Sequence, residues 1–418
     1  MQQKKLLVVI GGGAAGFFCA INAAKLHPGL QVLLLEKSSK VLSKVKVSGG
    51  GRCNVTHACF NITDMIKKYP RGGSFLKKTF QHFFTTDTIE WFQQRGVPLK
   101  TEADGRMFPA SNSSQTIIDC MLREAGKYNV ELRMHADVKA ISIDETGTGE
   151  KFILTLADQK LLKADYLCIA SGGYPKSTQF EWLTSIGHSI QPPVPSLFTF
   201  NIPQNPITQL MGISVENATV KIAGSKLQQS GPMLITHWGL SGPAILKLSA
   251  WAARELEQSN YHFNIHINWV TAYNENSLKE KIQQVRFEIA PQKIINRNPF
   301  GIPARLWEYF MQQCGIDANC RWADLPAREQ NKLVKILSAQ ELPVRGKTTF
   351  KEEFVTAGGI QLSEVDANTM QSKLHPQLYF AGEVLDVDGV TGGFNFQNAW
   401  TTGWVAANAI AHAARQEQ

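Results

Sequence analysis

The sequence has no long apolar run and no paired-cysteine motif. No window approaches the roughly 18 uninterrupted apolar residues that a membrane span needs. The basic start Lys4-Lys5 and the apolar run Leu6 to Ile10 resemble a signal peptide, but the run is short and glycines stand where a cleavage site would be. None of the seven cysteines forms a CxxC pair, which disfavours a disulfide framework and a metal site. We therefore expect a cytoplasmic protein without a bound metal.

Acidic residues are scarce between Lys37 and Phe80. Ten basic residues stand there against the single acid Asp64, a difference of +9, whereas the whole chain carries +8. They are Lys37, Lys40, Lys44, Lys46, Arg52, Lys67, Lys68, Arg71, Lys77 and Lys78. Such a run is usually a solvated face, but it is equally compatible with holding phosphates, an acidic small molecule or RNA. No RRM, KH or zinc-knuckle signature supports RNA binding independently.

A glycine motif stands near the start of the chain, between two apolar runs. Leu6 to Ile10 predicts a buried parallel strand, and a small-residue helix is predicted from Ala14 to Leu26. The glycines between them allow a tight turn, close approach to a pyrophosphate and close packing of helix on strand. Glu36 ends the second strand, 20 residues after Gly16, where a carboxylate accepts ribose hydroxyls. The predicted contacts are Gly11, Gly13, Ala14, Ala15, Gly16, Glu36 and Lys37.

A run of three glycines, Gly49-Gly50-Gly51, lies inside the basic segment. Such a bare backbone lets N–H groups contact a flat or anionic ligand directly. The polar residues that follow favour this interpretation over a flexible surface loop. The predicted contacts of this segment are Lys44, Gly49, Gly50, Gly51, Arg52 and Cys53.

Two further glycine turns follow predicted strands, at Gly172-Gly173 and at Gly382. The carboxyl ends of strands are where open α/β sheets bind ligands. Another pair of glycines, Gly392-Gly393, precedes a helix rich in small residues, whose first N–H groups and positive dipole end would face a ligand. The predicted contacts are Ala170, Gly172, Gly173, Gly382, Glu383, Asp386, Gly392, Gly393, Phe394 and Asn395.

The motifs GGGAAG, KVSGGGRCNVTH, THWGLSGP, LYFAGEVLD and GGFNFQ occur in this order along nearly the whole chain. Together they resemble the BaiN/RdsA-like family of bacterial flavoproteins, also described as YhiN-type or aminoacetone-oxidase-like. The resemblance implies that the cofactor is FAD, and it adds Val138 as a backbone clamp on the adenine. Members of this family are associated with three reactions, so the resemblance implies one of them: amine oxidation, reduction of steroid-like enones, or reduction of a ribosomal RNA uridine to dihydrouridine.

The predicted fold is α/β. A Rossmann-like FAD-binding domain is built from both chain ends, around an inserted β-barrel-like and helical substrate domain. The boundaries are 1–190 for the first part of the FAD domain, 191–270 for a β-rich insert, 271–343 for a helical subdomain and 344–418 for the return. Prolines in the stretch 191–195 predict a domain crossing. Helices are predicted at 244–257, 277–289, 303–313 and 326–338.

We predict a reductase of activated C=C bonds. One carbon of the substrate's double bond receives a hydride from flavin N5, and the other carbon receives a proton from an acid. His237 and Cys53 are the candidate acids, although a structural loop histidine and a small packing residue are the plainer interpretations. Arg52 would lower the pKa of the Cys53 thiol. Only one GxGxxG is present, so NAD(P)H is a candidate reductant without a recognisable domain of its own.

Two other functions remain open. The first is an amine oxidase that uses oxygen, and the second is an RNA-binding flavoprotein with secondary or no catalysis. The substrate is either a small molecule or ribosomal RNA, and RNA would bind through the basic segment 37–80.

Overall fold

The structure is a computed structural model, and it describes residues 4–144, 151–349 and 355–417. The chain divides into two compact units. One contains Met1–Pro195 and Lys351–Gln418, and the other contains Ser196–Phe350. We call them the split unit and the inserted unit.

The helices are α1 Ala14–Leu26, α2 Ser43–Gly51, α3 Ile62–Ile66, α4 Gly73–Thr79, α5 Thr85–Gln93, α6 Ser114–Lys127, α7 Glu181–Thr184, α8 Pro243–Trp251, α9 Ala253–Gln258, α10 Glu275–Glu288, α11 Ala304–Cys314, α12 Ala327–Ala339 and α13 Phe394–Gln416. The strands are β1 Leu6–Ile10, β2 Gln31–Leu35, β3 Thr56–His57, β4 Leu99–Thr101, β5 Arg106–Pro109, β6 Glu131–Arg133, β7 Val138–Ile143, β8 Phe152–Leu156, β9 Leu161–Ala164, β10 Tyr166–Ile169, β11 Ile190–Ser196, β12 Thr199–Asn201, β13 Ser214–Ile222, β14 Gln228–Thr236, β15 Gly239–Ser241, β16 His262–Asn268, β17 Gln340–Arg345, β18 Lys347–Thr348, β19 Val355–Ile360 and β20 Leu378–Phe380.

The split unit is built on a five-stranded sheet in the order β20-β10-β1-β2-β6. All four pairings are parallel, and Val8 in β1 faces Leu33 of β2 and Leu167 of β10. The strand residues are apolar because both faces of a parallel sheet are covered. Since parallel strands end at the same edge, Gly11, Glu36 and Ala170 lie along one edge of the sheet. The predicted Rossmann-type α/β fold is confirmed.

Helices α1 and α13 pack closely on each other, because small residues stand at their contact. A Cβ on Gly403 of α13 would lie 2.6 Å from the backbone oxygen of Ala15 in α1. Ala406 and Ala407 of α13 are fully buried. The first and last helices of the split unit are thereby joined, which brings the two ends of the chain together.

The inserted unit contains a seven-stranded antiparallel sheet in the order β17-β16-β13-β14-β15-β12-β18. Helices α10, α11 and α12 contribute to the core that packs with it, and Trp269, Trp307 and Trp322 are fully buried in that core. The helices predicted at 277–289, 303–313 and 326–338 agree with α10, α11 and α12 to within two residues.

The structure differs from some local expectations. The proline stretch forms strand β11, which pairs with β19 in a two-stranded sheet, and the boundary between the two units falls at its end, after Pro195, where the prolines predicted a crossing. Prolines are tolerated there because one side of such a strand needs no N–H donor. The single helix expected at 244–257 is interrupted at Ala252, between α8 and α9. Of the return segment predicted at 344–418, residues 350–354 and residue 418 lie outside the described part.

Candidate functional site

The first glycine turn lies directly after β1, and packing requires two of its glycines. Gly11 has φ +115°, and a Cβ there would lie 2.3 Å from the backbone oxygen of Ala170. A Cβ on Gly16 would lie 1.9 Å from the backbone oxygen of Gly11. A side chain at either position would therefore separate the turn, the helix and the neighbouring strand.

Gly13 differs from these two glycines. It is the N-cap of α1 with φ −92°, a conformation that any residue adopts, and it offers no side-chain cap to the helix. A Cβ on Gly13 would meet no atom within 4 Å. Neither backbone strain nor packing explains a glycine here, whereas an anion held against the first N–H groups of α1 does.

Glu36 is fixed at the end of β2 by two backbone donors. Its Oε2 accepts from the Gly12 N–H at 2.9 Å, and its Oε1 accepts from the Ser38 N–H at 2.8 Å. A carboxylate has about four acceptor sites, so each oxygen retains capacity for one more donor. The carboxylate is therefore held in a fixed position beside the turn that precedes α1.

Tyr174 is a residue near Glu36 that the motifs did not identify. Burial raises the pKa of its phenol, and the nearby carboxylates of Asp137 and Glu36 add to that increase. The Lys37 ammonium lies 5.3 Å from the centre of its ring. The only sequence signal was its position directly after Gly173. Val138, the expected adenine clamp, is buried at the start of β7, opposite Leu156.

The three-glycine run is the end of helix α2. The backbone leaves the helical conformation from Ser48 to Gly50, with φ +60° at Gly49 and +69° at Gly50. A Cβ on Gly49 would lie 2.8 Å from the Phe108 ring. At Gly50 and Gly51 a Cβ would meet nothing within 4 Å. These last two glycines present bare, exposed backbone, as the sequence indicated.

The expected effect of Arg52 on Cys53 is wrong. The Arg52 guanidinium pairs with Glu102 at 2.5 Å and lies 4.0 Å from the centre of the Phe108 ring. The Cys53 side chain is completely buried. Burial raises the pKa of its thiol to about 12, although a hydrogen bond with Ser48 partly offsets this. Such a thiol does not deliver a proton to a substrate, so the structure argues against Cys53 as the acid.

The second glycine turn, after β10, faces residues of the return segment. A Cβ on Gly173 would lie 2.6 Å from Oγ1 of Thr356. Oε1 of Glu383 accepts from the Thr356 N–H at 2.8 Å, and Lys44 Nζ donates to Glu383 Oε2 at 2.5 Å. Lys44 and Glu383 therefore form an ion pair with each other. At Gly172, which has φ +76°, a Cβ would meet no atom within 4 Å.

The third glycine turn leads into α13. Gly392 and Gly393 have φ +130° and +94°, and no side chain caps the helix. Asn395 of the first helical turn bonds back to Gly389 through both its amide atoms, at 2.7 and 2.9 Å. Asp386 is half-buried, and its N–H donates to the Ile360 oxygen at 3.1 Å.

Among the buried polar atoms near these turns that have no hydrogen-bond partner in the described part of the chain are Oγ1 of Thr356 and Oδ1 of Asn398, the latter one turn into α13. Buried polar atoms normally find a partner. Together with the open positions at Gly13, Gly50, Gly51 and Gly172, these two atoms fit a large ligand with hydroxyl, amide and phosphate groups, as FAD is.

His237 lies in the inserted unit, in the turn between β14 and β15. Its ring is exposed and packs edge-on against Trp238 at 4.1 Å. Thr236 closes this turn, since its hydroxyl accepts from the Gly239 N–H at 3.2 Å. A histidine in this position is accessible to a substrate.

The basic segment is partly neutralised by the protein itself. Lys44, Arg52, Lys67 and Arg71 form ion pairs with Glu383, Glu102, Asp64 and Asp388 respectively. The other six basic side chains are exposed and have no ion pair among the described residues. They are Lys37, Lys40, Lys46, Lys68, Lys77 and Lys78. Six lysines therefore remain to interact with an external anion.

Within residues 4–144, 151–349 and 355–417, none of the helices has the length and apolar character that a membrane span requires. No group of three or more His, Cys, Asp or Glu side chains in those ranges is arranged to hold a metal ion.

Comparison with known proteins places the chain in a family. A family model described as the HI0933-like protein Rossmann domain matches residues 5–409. The chain is 30% identical over 404 residues to the ribosomal RNA dihydrouridine synthase of Escherichia coli (strain K12), with 94% of each chain covered. It is 25% identical over 406 residues to the 3-dehydro-bile acid delta(4,6)-reductase of Clostridium scindens, with 95% of this chain and 97% of the relative covered.

Among solved structures, a flavocytochrome c3 fumarate reductase matches with a TM-score of 0.51 at 16% identity, covering 99% of this chain and 79% of that chain. This likeness concerns the fold. The fold and the family together define an FAD-dependent oxidoreductase of Rossmann type. The chain belongs to the HI0933-like family, which confirms the resemblance drawn from its motifs.

Proposed function

We propose that this protein reduces an activated C=C bond. Bound FAD would supply a hydride from N5 to one carbon, and an acid of the protein would supply a proton to the other. The observation that carries this proposal is a reaction type shared by two relatives. One is named for making dihydrouridine and the other for a delta(4,6)-reduction, and each aligns with about 95% of this chain. Both names describe saturation of a conjugated double bond.

The chain's own residues would hold the cofactor in three places. The first turn and Glu36 would bind the ADP half, through the open position at Gly13 and the free acceptor sites of the carboxylate. Gly50 and Gly51 would lie along the flavin with their exposed backbone. Gly172 and the Gly392-Gly393 turn would approach it from the other segments, and Asp386 would bind a ribitol hydroxyl.

We propose a uridine of ribosomal RNA as the substrate. The relative with 30% identity acts on ribosomal RNA by name. In addition, six exposed lysines of the segment 37–80 have no acidic partner among the described residues. Phosphate contacts from such lysines supply much of the affinity for RNA, and they make that affinity depend on salt.

His237 is the proposed proton donor and reduced nicotinamide the proposed reductant. His237→Gln should lower the rate of substrate reduction by about 10²-fold or more, while reduction of the flavin by NADH or NADPH stays at the wild-type rate. His262→Gln is a matched control, because His262 is an exposed histidine in β16 of the same unit. Equal losses in both variants would contradict a specific role for His237.

The decisive experiment offers two substrates to the anaerobically reduced enzyme. Unmodified large-subunit ribosomal RNA and a steroid-like enone are incubated separately, and mass spectrometry measures the gain of two hydrogen atoms. Gly13→Val is the control that should not bind FAD. A gain in the RNA supports the proposal, and a gain only in the enone moves the substrate to small molecules. Rapid reoxidation by air with formation of peroxide, and no gain in either substrate, would point instead to an oxidase.

A further inference from the structure

The turn Gly392-Gly393 is held in place by residues from a distant segment. A Cβ on Gly393 would lie 2.5 Å from the backbone oxygen of Thr56, so this turn lies directly against β3. Three side chains from the segment 54–69 bond to the backbone of the turn and the start of α13. Two are direct: His57 Nδ1 bonds with the Gly392 oxygen at 3.0 Å, and Tyr69 OH donates to the Phe394 oxygen at 2.6 Å. The third follows when the Asn54 amide is oriented to satisfy both of its atoms, because its Oδ1 then accepts from the Gly393 N–H at 3.0 Å.

Two of these three residues, Asn54 and His57, belong to the motif KVSGGGRCNVTH, which also contains the three glycines. They are more than 330 residues from their partners in the sequence. The motif that exposes bare backbone at Gly50 and Gly51 therefore also holds the start of α13, through the residues that follow these glycines. One short stretch of chain thus contributes to both sides of the proposed flavin site.

The position of the His57 ring is fixed by packing contacts in addition to its hydrogen bond. Because a carbonyl oxygen only accepts, the Nδ1 atom of His57 carries the proton that bonds to Gly392. The imidazole stacks on the Phe394 ring, with centres 4.7 Å apart and planes inclined by 27°. On the other side, a Cβ on Gly105 would lie 2.6 Å from Nε2. The half-buried ring is therefore held between contacts on two sides, and its donor has a fixed direction.

We propose that His57 is a positioning residue of the flavin site. Its Nδ1–H fixes the Gly392 carbonyl and, through it, the direction of the first N–H groups of α13. This inference rests on the proposed function, in which the Gly392-Gly393 turn approaches FAD; the start of α13 would then face the N1–C2 edge of the flavin, which gathers negative charge on reduction. A helix N-terminus stabilises negative charge only at close range. Loosening the turn should therefore weaken the binding of reduced FAD more than that of oxidised FAD.

Two substitutions separate the hydrogen bond from the ring contact. His57→Phe keeps a ring to stack on Phe394 but removes the donor. His57→Asn removes the ring, yet its amide nitrogen lies near the former Nδ1 position and can donate to Gly392. Each purified protein is measured for oxidised-FAD dissociation by flavin fluorescence and for its midpoint potential by anaerobic titration. Circular dichroism and thermal unfolding show whether each variant folds.

We expect His57→Phe to lower the ratio of reduced to oxidised FAD affinity about tenfold, which for a two-electron couple is ~30 mV towards a more negative potential. His57→Asn should stay near the wild-type potential even where its thermal stability is lower. If His57→Phe binds FAD with an unchanged potential, or if His57→Asn shifts the potential as much as His57→Phe does, the positioning role is wrong. If the wild-type protein binds no FAD at all, the proposed function itself fails, and this outcome is distinct from the other two.

Discussion

The backbone oxygen of Gly11 occupies the space that a side chain on Gly16 would need, with only 1.9 Å between that oxygen and the Cβ position. Gly13 lies between these residues and has no neighbour within 4 Å of its Cβ position. The same motif therefore contains glycines with different purposes. Gly11 and Gly16 serve the fold, and Gly13 leaves space for the ligand.

Gly13→Val should abolish cofactor binding without unfolding the protein. The valine would project into open space in a permitted conformation. We expect the apoprotein's free energy of unfolding to change by less than about 0.5 kcal/mol. FAD affinity should fall at least ~100-fold, equivalent to about 2.8 kcal/mol. Urea unfolding of the apoprotein and flavin fluorescence measure the two quantities.

Gly16→Ala is the matched control for that variant. Its methyl group would overlap the Gly11 oxygen, and such crowding costs about 1–3 kcal/mol or more. The apoprotein itself should therefore be destabilised. If Gly16→Ala unfolds like the wild type while Gly13→Val does not fold, the assignment of the two glycines is reversed.

Cys53→Ala should leave proton delivery intact. The thiol is buried and has a pKa of about 12, so it is neither accessible nor acidic. Substrate turnover should stay within severalfold of the wild type, instead of the roughly 10²–10⁴-fold loss that removal of a catalytic acid causes. Iodoacetamide should not modify Cys53 in the native protein at mildly alkaline pH, as peptide mass spectrometry would show. Rapid labelling of the folded protein at this position would contradict its burial.

Thr356→Val should affect the apoprotein and the complex in opposite directions. The Thr356 hydroxyl is buried without a partner among the described residues, and an unsatisfied buried polar group costs about 1–3 kcal/mol. The isosteric valine should therefore stabilise the apoprotein by up to ~1 kcal/mol. If the hydroxyl serves FAD, the same variant should bind FAD about fivefold more weakly, at the cost of one hydrogen bond.

Thr356→Ser is the control, because it keeps the hydroxyl and should retain FAD affinity. The measurements are urea unfolding without FAD and flavin fluorescence with it. A valine variant with a less stable apoprotein would mean that the hydroxyl has a partner within the protein.

The sequence predicted best those features that depend on neighbours along the chain. The strand, turn and helix from Leu6 to Leu26 follow from local patterns, because apolar runs and glycines determine local structure directly. The position of Glu36 beside this turn also follows, since adjacent parallel strands end at the same edge.

Contacts between distant segments were not predictable in this way. Arg52 was expected to act on its neighbour Cys53, yet it pairs with Glu102, fifty residues away. The contact of Tyr174 with Lys37 depends on how two strand ends are brought together. The bond from His57 to Gly392 spans 335 residues. Neither the composition nor the hydrophobic periodicity of the sequence indicates such pairs, because the residues meet only after the distant segments have packed together.

Acid should destabilise the protein through His188. This side chain is buried in the split unit, where its Nδ1 lies 2.9 Å from Glu364 Oε2 and its Nε2 lies 3.0 Å from the Ser372 hydroxyl. Burial lowers the pKa of His188, although Glu364 partly offsets this. The unfolded chain therefore takes up a proton below about pH 6.5 that the folded chain does not. Stability is fully present above that pH and falls as the pH decreases, by up to ~1.4 kcal/mol per pH unit.

His188→Gln removes this titration, so the measured quantity is the pH dependence of unfolding in the wild type minus that in the variant. As the pH falls below about 6.5, the wild type should lose more stability than the variant does, because only the wild type carries the depressed His188 pKa. Although burial alone would raise the pKa of Glu364, hydrogen bonds from Ser189 and His188 lower it, so its contribution is lost only at more acidic pH. His262→Gln, at an exposed position, should keep the wild-type profile. A His188→Gln profile parallel to the wild type would show that His188 titrates alike in the folded and unfolded chains.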